Sequence, residues 1–126
     1  MVSVDEVKRD LDLAFLMAQE ANKEAKSLKL HYEFPDDIFN TRISGCKCSL
    51  NRAIKQLEDT ESKQIDEVYS KNGYVKWLLF LSANESIRNY IEQINNLNRH
   101  TLSLIEAAEN QIMILNQNEI KETIGG

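Results

Sequence analysis

A chain of 126 residues, 42% hydrophobic and 28% charged, is long enough to bury one core and points to one domain. Its formal net charge of −5 disfavours nucleic acid as a partner, because such binders neutralise phosphates with a basic stripe. The nearest candidates, Lys47 with Arg52 and Lys55, and Arg88 with Arg99, are small sets diluted by acids.

One proline and four glycines leave the body almost free of breakers, which favours long helices over many short strands. The first helix is expected over about 3–28. Ser3 and Glu6 form a capping box, and Asp5 adds negative charge at the positive helix end. Its apolar stripe is Val4, Val7, Leu11, Ala14, Ala18, Ala21, Ala25 and Leu28, a strict heptad. The alanines predict close approach of a neighbouring helix. Leu13, Phe15, Leu16 and Met17 predict burial of the middle of this helix on more than one side.

Pro35 breaks the chain, and Asp36 and Asp37 open a second helix, expected over about 36–71, with a break near Asp59–Ser62 as the alternative. His31, Tyr32 and Phe34 predict a connection that packs over one bundle end. The second seam is Phe39, Ile43, Cys46, Leu50, Ala53 and Leu57, with a stutter on to Ile65 and Val68. Gly45 inside it suggests a close helix crossing. Cys46 lies on the stripe and Cys48 off it, so the two cannot readily pair.

Asn72-Gly73 is the clearest stop signal, and so short a turn makes its flanking helices antiparallel neighbours. The third helix is expected over about 74–118, with 119–126 as a frayed tail. Its heptad is Trp77, Phe80, Asn84, Ile87, Ile91, Ile94, Asn98, Thr101, Ile105, Ala108, Ile112 and Leu115. At 1.5 Å per residue the three helices span on the order of 39, 54 and 65 Å, so the third overhangs its partners. The overhang is nearly free of charge, and an exposed surface of that kind calls for a cover.

No motif supports catalysis. Neither His31 nor His100 follows a glutamate by three residues, as a di-iron bundle requires. No serine or cysteine has an identifiable base, and no Gly-rich phosphate loop is present. Glu106-x-x-Glu109 and Glu119-x-x-Glu122 resemble, over eight residues, the paired acidic motifs of helical nucleotide pyrophosphohydrolases that bind Mg²⁺. No basic phosphate clamp accompanies them, and a solvated helix face accounts for them better.

The expectation is therefore an all-α, elongated up-down-up bundle of three long helices with coiled-coil-like heptad packing, forming a single helical domain over 1–126. The expected function is a non-enzymatic protein-binding module, a small cytoplasmic regulator or inhibitor acting through a helical surface, without cofactor, metal or membrane. Its Asn-, Ile- and Lys-rich composition would suit a phage or mobile element of low GC content. An acidic chain with an apolar stripe suits a basic partner that presents a helix or groove. The alternative is a self-assembling structural or scaffold protein. The candidate interface is Ile91, Ile94, Asn98, Leu102, Ile105, Ala108, Ile112 and Leu115, which would also carry a homodimer through the third helix. Tyr74, Trp77 and Phe80 are a candidate secondary patch, although aromatics at a bundle end are more readily explained as core.

Overall fold

The computed structural model describes the backbone of residues 3–28 and 36–125 and the side chains of 3–28 and 38–113. The aromatic connection 29–35 lies outside the described residues. Among those described there are four α-helices and no strand. They are α1 (Val4–Ser27), α2 (Asp36–Lys63), α3 (Gly73–Ala83) and α4 (Glu85–Gly125), with a π-helical segment (Gln64–Tyr69) between α2 and α3.

Helix α1 starts where its cap dictates: the Glu6 amide donates to Ser3 Oγ at 3.4 Å. Its fully buried positions are Val7, Leu11, Ala14, Ala18, Ala21, Ala25 and Leu28, spaced alternately four and three residues apart. Helix α2 buries Phe39, Ile43, Cys46, Leu50, Ala53 and Leu57 at the same spacing, and α4 buries Ile87, Ile91, Ile94, Asn98, Thr101, Ile105 and Ala108. Each helix thus turns one narrow stripe inward.

The packing falls into two clusters, and these give the chain direction. One joins the start of α1 (Val7 to Ala18), the end of α2 (Ala53, Leu57) and the start of α4 (Ile87 to Ile94). The other joins the end of α1 (Ala21 to Leu28), the start of α2 (Phe39 to Leu50) and Ile105 with Ala108 of α4. Helices α1 and α4 therefore run the same way, with α2 opposed to both.

The third helix is not continuous. It breaks at Asn84, which leaves the helical region with φ −123° and ψ 81°. No Gly or Pro marks the site. The Asn84 side chain replaces lost helical bonds by donating Nδ2–H to the Phe80 carbonyl at 2.9 Å. The break lets α3 fold back, so that Trp77 is buried in the first cluster and stacks on Phe80 at 5.5 Å. A straight helix would carry both rings past the start of α1. At the other end, the backbone of α4 stays helical to Gly125, beyond the expected end at 118.

The second helix also differs. Its α-helical part ends at Lys63, and the inward stripe continues through Thr60 and Gln64 rather than slipping to Ile65 and Val68. Both side chains are polar, so an apolar pattern does not reveal them. Thr60 donates to the Gln56 carbonyl at 2.8 Å, which lets a hydroxyl be buried on the seam. Gln64 donates to Asp10 Oδ2 at 3.3 Å, tying the end of α2 to α1. The π-helical turn then changes the register of the chain before the reversal.

Two expectations of close packing also need correction. A Cβ placed on Gly45 would meet nothing within 4 Å, so no helix crosses closely there. Leu13 and Leu16 are exposed, so α1 is buried along its stripe and not nearly all round. The cysteines fall as the stripe dictates: Cys46 is buried, Cys48 exposed, and both are free.

The reversal depends on Gly73, though not as a left-handed cap. Asn72 takes that conformation, with φ 57°. Gly73 is the first residue of α3 and is buried against the π-helical turn. A Cβ there would lie 1.9 Å from the Ile65 carbonyl oxygen. Backbone cannot yield cheaply, so Gly73→Ala should destabilise the α3 reversal by at least about 1–3 kcal/mol. Loss of Trp77 burial, read as a red-shifted fluorescence spectrum with α1, α2 and α4 still helical, would show it.

On the α1–α4 side, Phe15 meets the Tyr90 ring edge-on at 5.5 Å, and the Tyr90 hydroxyl donates to Asp12 Oδ1. Burial first, then the bond to Asp12 and its charge, push the Tyr90 phenol well above its usual value of 10.0. A phenol raised by folding contributes stability that is complete below pH 10 and lost as pH rises further. Tyr90→Phe should cost about 0.5–1.5 kcal/mol at pH 8, and the gap to wild type should narrow above pH 10. Urea unfolding at the two pH values checks both parts.

Candidate protein-binding surface

The seam of α4 lies inside the three-helix assembly. Ile91, Ile94, Asn98, Ile105 and Ala108 are buried against α1 and α2, and Ile112 packs partly buried on the second cluster. Of the candidate interface residues whose side chains are described, Leu102 is the exposed one. The Leu115 side chain lies outside the described residues. The physical reason is the break at Asn84. It starts α4 level with Val7 of α1, so that Ile87 to Ile94 pack in the first cluster and Ile105, Ala108 and Ile112 in the second.

Between the two apolar clusters sits a polar layer. Asn22 of α1 donates to Thr101 Oγ1 at 3.1 Å, and Thr101 in turn donates to the Leu97 carbonyl at 3.0 Å. The Asn22 amide also lies 3.2 Å from His100 Nδ1. Asn98 is buried beside this layer, and neither its Nδ2 nor its Oδ1 has a partner. An unpaired buried amide costs stability while disfavouring slipped registers. Asn98→Leu should therefore raise stability by about 1–2 kcal/mol in a denaturant titration.

The secondary patch divides. Trp77 is buried, Phe80 is partly buried against the first cluster, and Tyr74 points to solvent. Sequence reasoning missed the rest of the face that Tyr74 belongs to. Tyr74, Val75, Leu78 and Leu79, with Val68 of the π-helical turn, are 44–64% exposed. On a helix the four α3 residues form one stripe, since positions i and i+4 lie on the same side. The available signal was composition: residues 73–83 read GYVKWLLFLSA, with Lys76 as the single charge. Beside this stripe runs a groove of about 520 Å³ lined by Val4, Tyr69, Lys76, Leu79, Phe80, Ala83 and Asn84.

The charged residues elsewhere are arranged as solvated faces. Glu109 pairs with Lys47 at 3.0 Å and Lys63 with Asp10 at 3.6 Å, both exposed pairs of little energetic weight. Glu106 is exposed, and the side chains of Glu119 and Glu122 lie outside the described residues. Among the described residues, no three His, Cys, Asp or Glu side chains cluster as a metal site, and no helix is long and apolar enough to cross a membrane. No protein-family model, curated protein or solved structure matches the chain.

Proposed function

We propose that this chain is a non-enzymatic protein-binding module, a small cytoplasmic regulator or inhibitor that acts through a helical surface. On this reading α1, α2 and α4 are a coiled-coil-like scaffold and the working surface is the outer face of α3. The observation that carries it is the contiguous exposure of Tyr74, Val75, Leu78 and Leu79 on a helix otherwise fixed to the scaffold by Gly73 and Trp77. Contiguous apolar surface of this kind marks protein contacts on soluble domains. Partner selection by charge would fall to the acidic faces around it, in keeping with the net charge of −5.

A second reading, self-assembly as the end in itself, is favoured by the same face because it offers almost no charge for a different protein to read. A photo-reactive amino acid placed at Tyr74 tests the shared premise in cells that make the chain. A cross-linked protein adduct is expected from position 74 and not from Lys26, which is exposed on α1. Equal or absent adducts at the two positions would remove the binding-module reading.

A further inference from the structure

We propose that the face of α3 is occupied by a second copy of this chain, packed antiparallel about a twofold axis at Leu78. This rests on the reading of α3 as the working surface and names its occupant.

The argument begins with spacing. Tyr74, Leu78 and Ser82 follow one another at intervals of four, so they share one line along the exposed side of α3. Leu78 is the midpoint of that line. In an antiparallel pair related by a twofold axis, residue i of one helix meets residue j of the other and j meets i. With the axis at Leu78, the large Tyr74 ring lies over the small Ser82 of the other copy, twice. Leu78 meets Leu78, while Val75 and Leu79 flank the axis. Large against small and apolar against apolar is the pattern that fills space without voids.

Charge supports the same occupant. Burying an unpaired charge is costly, and the line 74–78–82 contains none. Lys76 lies off the line, beside the groove. A copy of an acidic chain can therefore approach here without placing acid against acid on this line. Area supports it too. The exposed fractions of Tyr74, Val75, Leu78 and Leu79 amount to on the order of 450 Å² of mostly apolar surface, as large as the biggest patch on a typical monomer. Two such faces with their rims bury about 1,000–1,200 Å², the lower bound of a specific interface and the range of a reversible dimer.

Light scattering of the purified chain between about 1 µM and 1 mM, the span of reversible association, tests the proposal. Wild type should pass from monomer to dimer within this range and no further. Leu78→Asp, at the axis and so counted twice, should raise the dissociation constant at least ~100-fold with helicity by circular dichroism unchanged. Ser82→Tyr alone should block dimerisation by meeting Tyr74, and Ser82→Tyr with Tyr74→Ser should restore it. Wild type that is monomeric throughout, a dimer indifferent to Leu78→Asp, or a swap that fails to restore association would each overturn the proposal. The cross-link from position 74 separates this from failure of the broader reading. An adduct to a different protein, with a monomeric chain, sinks the second copy alone; no adduct sinks both.

Discussion

Everything in this fold depends on how near α1 can come to its neighbours. Four successive inward positions of that helix are alanine, and all four are buried. A side chain of one carbon sets little distance between backbones, so the larger residues of α2 and α4 must reach across to α1 and fill the space above it. Leu57 and Ile94 share the first cluster with Ala14 and Ala18, and Leu50 and Ile105 share the second with Ala21 and Ala25. The inward stripes therefore have to stay in phase along their whole length, because a slip would set isoleucine against isoleucine and force the helices apart, whereas the small Ala53 of α2 packs among Ala14 and Ala18 where the helices come nearest. The unbroken alternation of three and four residues in all three helices is the consequence.

That constraint made much of the fold legible. The inward residues of α1 and the α2 positions from Phe39 to Leu57 can be read directly from apolar periodicity. So can those of α4 from Ile87 to Ala108. The end of α2 was not legible, because Thr60 and Gln64 hold the seam with polar groups whose partners, the Gln56 carbonyl and Asp10, exist only once the chain is folded. The break at Asn84 was not legible for a different reason. The heptad runs through it without interruption, and the local sequence is as compatible with a straight helix as with a bent one. Tertiary burial of Trp77 decides the matter. With no break at Asn84, the third helix is expected to overhang its partners over 101–118; of those residues Thr101, Ile105 and Ala108 are buried and Ile112 packs on the second cluster.

The polar layer in the middle of the bundle has a cost and a use. Asn22, Asn98 and Thr101 separate two apolar clusters that could otherwise slide past one another by a heptad with little penalty, since alanine recurs so regularly on α1. The Asn22–Thr101 bond is made in one register and lost in the next. The unpaired amide of Asn98 is tolerated beside it. Stability is given up at one residue while the pairing of α1 with α4 is fixed at its neighbour.

The composition of α3 makes no sense for a helix with one buried side. Its anchoring to the scaffold needs Gly73, for approach to the Ile65 carbonyl, and Trp77 with Phe80, for the first cluster. Those residues account for one face. An ordinary surface helix would carry lysine and glutamate on the other, as α1 does at Glu6, Lys8, Glu20 and Lys23. Here the other face is Tyr74, Val75, Leu78 and Leu79, and apolar side chains left in water gain nothing for the fold that bears them. Leucine and valine could have been replaced there by charged residues without touching the core, and solubility would have improved. A helix that is apolar on two sides is a helix with two surfaces to cover, and the scaffold covers one.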